Sequence, residues 1–185
     1  MGKEKDDEIL LLLHENPEQG FRMMFNVYHM QLCIYATQLT NSFQLAEDIV
    51  QDFFMVFWEK KYYHQINGNF RNYLYTSVHN TALAALRKRN LLSMEEMTGI
   101  MVEIPLEGQY EQEELELREK ELMQKLSILS PQELAAVKAV ILENKKYAEA
   151  AMETQVSVGT LKTYLTRALK KLRRDYNLSL LFYLF

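Results

Sequence analysis

The chain has 185 residues, of which 48% are hydrophobic, and with only 6 Gly and 3 Pro it is expected to form long helices around one large or two small cores. Its single cysteine, Cys33, excludes a disulfide framework and a four-cysteine metal cluster. The net charge is −4 and no apolar run approaches the roughly 18 residues of a spanning helix, so we expect a soluble cytoplasmic protein without cofactor or metal.

Three amphipathic helices are predicted first. Asn16 and Pro17 predict an N-cap followed by proline at the first helical position, and the apolar spacing that follows predicts a helix of about 20 residues. A second helix is predicted from about Gln44 to Tyr62 and a third from about Asn69 to Arg89. Gly68 and the asparagines beside it separate these two helices.

The helical pattern lapses over residues 92–114. Gly99, Pro105 and Gly108 fall close together there, glutamates dominate, and no apolar period survives. We predict an acidic linker between two small helical domains, which makes the fold class all-α.

The second half begins with a helix predicted over about residues 115–126. Ser130, Pro131 and Glu133 then form a capping box that starts another helix, extending to about Glu143. A short helix over 147–153, a turn at 154–156 and a cap at Ser157 precede a last long helix, which is the arrangement of a helix-turn-helix. The predicted buried stripe of that last helix is Val158, Leu161, Leu165, Ala168, Leu169 and Leu172.

Charge is distributed in blocks along the chain. Residues 59–90 contain 6 basic and 1 acidic side chains, residues 91–121 contain 2 basic and 10 acidic ones, and residues 159–174 contain 6 basic and no acidic ones. Two basic patches beside an acidic middle are typical of two DNA-facing surfaces. The alternative is a pair of solvated helix faces.

The outward positions of the last helix combine hydroxyls, which can reach base edges or phosphates, with cations that neutralise the DNA backbone. A helix-turn-helix places such a helix in the major groove. The alternative is a terminal amphipathic helix with a basic solvated face. The candidate DNA-binding residues are Ser157, Thr160, Lys162, Thr163, Thr166, Arg167, Lys170 and Lys171.

Two stretches resemble the sigma-70 family of transcription initiation factors. Residues 129–173 resemble region four of this family, with the sequence LSPQELAAVKAVILENKKYAEAAMETQVSVGTLKTYLTRALKKLR. Its region two is resembled by FNVYHMQLCIYATQLTNSFQLAEDIVQDFFMVFWEKK and FRNYLYTSVHNTALAALRKRN. The order, on a short chain without a region-three domain, is that of the extracytoplasmic-function subfamily. Gln155 departs from the family, which usually has glycine at that turn position.

The resemblance implies a domain for region two over residues 1–91, the linker over 92–114, a domain for region four over 115–177 and an apolar tail over 178–185. It implies promoter DNA and core RNA polymerase as partners, the latter through the clamp coiled coil of the largest subunit and the flap of the beta subunit. A membrane-bound anti-sigma factor is a plausible further partner, and no small-molecule substrate is implied.

Region two of the family docks on the clamp and opens the minus-ten promoter element. The residues that match its polymerase-binding motif are Asp48, Gln51 and Asp52. Opening a duplex needs aromatic faces, amides and cations to replace lost stacking. The candidate melted-strand residues are Tyr63, His64, Asn67, Asn69, Arg71, Asn72, Tyr75, His79, Asn80, Arg87 and Lys88.

Two other functions remain open at this stage. One is a helix-turn-helix regulator that binds duplex DNA without polymerase, and the other is a helical interaction protein without DNA function. An enzyme is the least expected, because the four histidines are scattered and there is no phosphate-binding glycine loop.

Overall fold

The computed structural model of the protein describes residues 2–66, 68–88 and 112–175. The chain divides into two compact units, Met1–Gln109 and Tyr110–Phe185. Every regular element within the described ranges is helical, which confirms the all-α prediction. Among the helices of these ranges, none combines the length and apolar composition needed to cross a bilayer.

The described part of the first unit contains four α-helices. They are α1 (Gly2–Glu15), α2 (Pro17–Thr40), α3 (Phe43–Glu59) and α4 (Phe70–Lys88), with a 3-10 turn at Tyr62–Gln65 before α4. Helix α2 packs against the other three. Its residues 30–37 are all buried, as expected for a helix surrounded by other helices.

The predicted start of α2 is confirmed. The Asn16 side chain accepts a hydrogen bond from the backbone N–H of Gln19 at 3.3 Å, and Pro17 occupies the first turn. The prediction for α3 ended at Tyr62, but the α-helix ends at Glu59 and the chain turns through Lys61, which has a positive φ of 50°. Helix α4 begins one residue after its predicted start, and its predicted last residue, Arg89, lies outside the described residues.

Helix α1 was not predicted from the sequence. Its Ile9 and Leu13 are fully buried, and α1 packs closely on α2 beside Gly20. A β-carbon added at Gly20 would stand 2.4 Å from the backbone nitrogen of Leu13, so only glycine fits this helix contact. The described residues of the first unit therefore form four α-helices where three were expected.

Four α-helices also lie in the second unit over residues 112–175. They are α5 (Gln112–Leu126), α6 (Pro131–Val137), α7 (Tyr147–Glu153) and α8 (Val158–Asp175), and α6 continues as a π-helical segment, Lys138–Leu142. Helix α8 packs on α6 and α7. Helix α5 begins three residues before its predicted start, and the rest of the predicted linker and the apolar tail lie outside the described residues.

Candidate nucleic-acid and polymerase interfaces

The turn between α7 and α8 closes as a Schellman motif. The N–H of Val156 donates to the carbonyl of Ala151 at 3.0 Å, and the N–H of Gln155 donates to that of Met152 at 3.2 Å. Gln155 has a φ of 55°, in the left-handed region where glycine is favoured. The turn therefore keeps its geometry without glycine, at the cost of placing a β-carbon in a strained conformation.

Helix α8 begins where the sequence predicted. The N–H of Thr160 donates to the Ser157 hydroxyl at 3.1 Å, which confirms Ser157 as the cap. The predicted buried stripe is confirmed for Leu161, Leu165, Ala168, Leu169 and Leu172. For Val158 the prediction was wrong: this first residue of α8, at the end of the stripe, is 40% exposed.

Hydroxyl groups on the outward face of α8 hydrogen-bond within the helix. Thr163 donates to the carbonyl of Gly159 at 2.9 Å, and Thr166 donates to that of Lys162 at 2.8 Å. The Ser157 and Thr160 hydroxyl oxygens lie 2.8 Å apart. The hydroxyl protons of Thr163 and Thr166 therefore have backbone partners before any DNA arrives.

The candidate cations of α8 have different surroundings. Arg167 and Lys170 are exposed. Lys162 is half-buried, with its Nζ 4.7 Å from the centre of the Tyr147 ring, a cation–π contact that links α8 to α7. Lys171 lies 2.7 Å from the Glu133 carboxylate on α6. Arg167 and Lys170 are thus the cations best placed to meet phosphates.

One face of α4 is exposed along most of its length, and all of its residues except Ala84 are polar. Asn72, Thr76, Asn80, Ala84 and Arg87 recur at intervals of three or four residues, and all five are exposed. Sequence reasoning identified Asn72, Asn80 and Arg87 in this row but missed Thr76, which only the helical register reveals. We call this row the α4 polar face.

Other candidates lie at the two ends of that face. Lys88 is exposed beyond Arg87, and His64 and Asn69 are exposed before the helix. Asn69 also caps α4, because its side-chain oxygen accepts the N–H of Asn72 at 2.7 Å. Asn67 lies outside the described residues.

Two tyrosines predicted to meet melted bases are buried. Tyr75 is fully buried, donates to the Gln31 side-chain oxygen at 3.2 Å and meets the Tyr35 ring edge-on with centroids 5.0 Å apart. Tyr63 is buried against Phe57. We correct both predictions, since side chains enclosed in the core of the first unit are not available to stack on DNA.

Arg71 and His79 are half-buried and engaged inside the first unit. The Arg71 Nε lies 3.9 Å from an Asp6 carboxylate oxygen of α1, and its guanidinium lies over the Tyr28 ring at 5.7 Å. The His79 Nδ1 is 3.0 Å from the Tyr35 hydroxyl, and burial lowers the pKa of His79. The lowered pKa favours the neutral form of His79, which makes this side chain a poor partner for phosphate.

The candidate polymerase-binding residues form a continuous surface with an apolar groove. Asp48, Gln51 and Asp52 are exposed on α3, and Met55 and Trp58 continue the same face one and two turns further. The groove has a volume of about 650 Å³. Its lining residues are Glu18, Phe21, Arg22, Phe25, Met55 and Trp58.

This groove was not predicted from the sequence. Phe25 and Trp58 are 36% and 37% exposed, which is enough to contact a partner. The signal was present in the register, because position 58 follows 51 by seven residues and so lies on the same face.

Comparisons with known proteins place two family regions on the chain. The Sigma-70 region 2 model matches residues 24–91, and the Sigma-70 region 4 model matches residues 119–172. No curated protein sequence matches the chain. A similar solved structure is the sigma factor RpoE in complex with the anti-sigma factor NepR from Bartonella quintana, at 23% identity over 83% of this chain and 94% of that one. Its TM-score of 0.34 supports no argument about residue roles.

Proposed function

The chain belongs to the sigma-70 family of transcription initiation factors, and from that membership we propose how its two units share the work. Factors of this family are non-enzymatic and act with RNA polymerase on promoter DNA. The observation that supports the assignment is the presence of region two and region four in this order on one chain. The chain is thus a sigma factor, and the roles of its individual residues are our proposal.

The face of α3 docks on the polymerase. Asp48, Gln51 and Asp52 supply carboxylates and an amide to a basic partner helix, and Met55 and Trp58 supply apolar area directly beside them. Apolar contact with a charged rim is the usual composition of a protein interface. The clamp coiled coil of the largest subunit is the proposed partner, and the flap of the beta subunit is the proposed partner of the second unit.

The α4 polar face holds the melted strand of the minus-ten element. Asn72, Thr76 and Asn80 offer hydrogen bonds to base edges, while Arg87 and Lys88 neutralise phosphates at one end. His64 and Asn69 extend this surface before the helix. Tyr63, Tyr75 and His79 support it from inside the unit.

Helix α8 contacts the minus-thirty-five element in the major groove. Its capped N-terminal half presents Ser157, Thr160 and Thr163, and its exposed cations Arg167 and Lys170 follow at helical spacing. In helix-turn-helix proteins the N-terminal residues of this helix contact bases, and cations further along meet phosphates.

Three further assignments complete the proposal. The two matched regions leave only residues 92–118 between them, which favours the extracytoplasmic-function layout. The exposed groove on α2 and α3 also suits capture by a membrane-bound anti-sigma factor. The protein acts in the cytoplasm and catalyses no reaction of its own.

Reconstituted transcription tests the proposal. The purified chain is mixed with bacterial core polymerase and fragmented genomic DNA, and run-off transcripts are sequenced. A sigma factor gives transcripts with discrete start sites only when core and chain are both present. A regulator that acts without polymerase binds duplex DNA tightly by itself, and an interaction protein without DNA function gives neither result.

Charge-reversed variants test the docking face. The double variant D48K/D52K should lose core binding in pull-down, whereas D7K/E8K should keep it, because Asp7 and Glu8 are exposed on α1 and the charge change is the same. Equal loss in both variants would contradict the assignment of the α3 face.

A further inference from the structure

We propose that Thr163 selects a thymine in the minus-thirty-five element by contact between its γ-methyl group and the C5-methyl group of the base. The inference rests on the proposed role of α8 in the major groove. It adds the chemistry of one position, which family membership does not supply.

Thr163 stands at the centre of the outward face of α8. It is exposed, and Thr160 and Arg167 lie on the same face about one turn to either side. Its place in the second turn puts it among the N-terminal residues that approach base edges when such a helix enters the groove.

The hydroxyl of Thr163 is already committed as a donor. It donates to the Gly159 carbonyl at 2.9 Å, so its proton is not available to the acceptor atoms N7 and O6 of guanine or O4 of thymine. The hydroxyl oxygen can still accept a hydrogen bond, and the methyl group is the apolar part of the side chain that can meet a base. Thymine is the base that presents a methyl group in the major groove, so apolar contact favours thymine at this position.

Gly159 leaves the approach to Thr163 open. Side chains on an α-helix lean toward its N-terminus, so Thr163 lies over the turn that contains residue 159. Gly159 has no side chain, and a β-carbon there would meet only the Ser157 hydroxyl oxygen, at 3.8 Å. On the N-terminal side of Thr163, therefore, no side chain at position 159 stands between a base and the methyl group.

Uracil substitution tests the contact because uracil lacks only the methyl group. Each thymine of the minus-thirty-five element in a promoter mapped by run-off transcription is replaced singly by uracil, and the holoenzyme is assayed on both templates. The variants are T163V, which keeps the methyl shape without the hydroxyl, and T163S, which keeps the hydroxyl without the methyl. The matched control is T154S, because Thr154 makes the same type of bond, to the Ala150 carbonyl, on α7.

With wild-type protein, replacing one particular thymine by uracil should lower transcription about fourfold, because the contact loses one buried methyl group. T163V and T154S should keep this thymine-to-uracil ratio, and T163S should bring it close to one. A wild-type ratio of one at every thymine, a T163S ratio equal to wild type, or loss of the ratio in T163V would overturn the inference. Absence of any promoter-specific transcript from the wild-type holoenzyme would instead overturn the proposed function, and the inference with it.

Discussion

Lys171 on α8 donates a hydrogen bond to the Glu133 Oε2 atom on α6 across 2.7 Å. Glu133 is only 4% exposed, and the same oxygen accepts the backbone N–H of Ser130 at 2.8 Å. One carboxylate thus completes the capping box of α6 and also binds α8. Lys171 is therefore a structural cation, although its sequence position places it in the basic row of a DNA-binding helix.

Replacing Lys171 should reduce stability more than replacing its neighbour Lys170. K171M leaves the buried Glu133 carboxylate without its cation, which should cost about 1–2 kcal/mol. K170M removes an exposed cation and should change stability by less than about 0.5 kcal/mol. Hydrogen exchange of the α6 and α8 amides measures both effects.

For DNA binding the order should be reversed, with K170M having a larger effect than K171M. K170M should reduce the salt dependence of promoter binding by the holoenzyme by about one counterion. Equal stability of K170M and K171M would contradict the structural role of Lys171.

The Glu133 contacts also predict a pH dependence. Burial by itself raises the pKa of Glu133, but hydrogen bonds from Lys171 and Ser130 outweigh burial and hold the pKa below its ordinary value of 4.5. A carboxyl group whose pKa falls on folding stabilises the protein above its unfolded pKa, and that contribution is lost as pH falls through the folded pKa.

E133Q should abolish this dependence. The difference in α6 protection between wild type and E133Q should stay constant well above pH 4.5 and shrink as the pH is lowered below that value. A difference that does not change with pH would mean that the carboxylate is not stabilised by these contacts.

Local signals explain why much of the fold was predictable from sequence. The caps at Asn16, Ser130 and Ser157 each accept a hydrogen bond from a residue three positions further along the chain. Donor and acceptor can therefore both be identified from a short stretch of sequence. Helical spacing likewise predicted the start of α4 to within one residue, and it predicted the buried leucines of α8. Such features depend on register alone.

Contacts between distant segments explain the failures. The Tyr75 hydroxyl donates a hydrogen bond to Gln31, and the Lys171 ammonium donates one to Glu133. In each case the acceptor lies on another helix. Periodicity gives the face on which a residue lies but not which helix covers that face. Helix α1 was missed for a related reason, because its buried Ile9 and Leu13 follow a charged start and pack beside a glycine of α2.

Gln155 should be replaceable by glycine with a gain in stability. Its φ of 55° is strained for a residue with a β-carbon, so Q155G should stabilise the second unit by up to about 1 kcal/mol. Q155A is the control, because alanine keeps the β-carbon and should give no such gain. Hydrogen exchange of the α7 amides measures the change, and lower protection in Q155G than in Q155A would contradict the Schellman geometry.

Tyr75 and Asn80 should respond differently to substitution. Y75F removes the buried hydroxyl bonded to Gln31 and should cost about 1 kcal/mol of first-unit stability. N80A alters an exposed amide and should leave stability within about 0.5 kcal/mol while reducing promoter melting about fivefold. Permanganate footprinting of the melted strand and urea unfolding measure the two effects. A melting defect in Y75F at unchanged stability would restore Tyr75 to the DNA surface.

Adding a methyl group at two glycines should change stability with opposite signs. G20A places a β-carbon 2.4 Å from the Leu13 nitrogen, and because backbone cannot move as a side-chain tip does, α1 should be pushed from α2 at a cost of about 1–3 kcal/mol. G159A meets only the Ser157 hydroxyl at 3.8 Å and should gain about 0.5–1 kcal/mol from helix propensity. Fluorescence of Trp58, the sole tryptophan of the chain, follows urea unfolding of the first unit, and hydrogen exchange of α8 follows the second. If G20A unfolded at the same urea concentration as wild type, α1 would not pack on α2 as the structure has it. The contact between Asp6 of α1 and Arg71 could then no longer explain why Arg71 is half-buried.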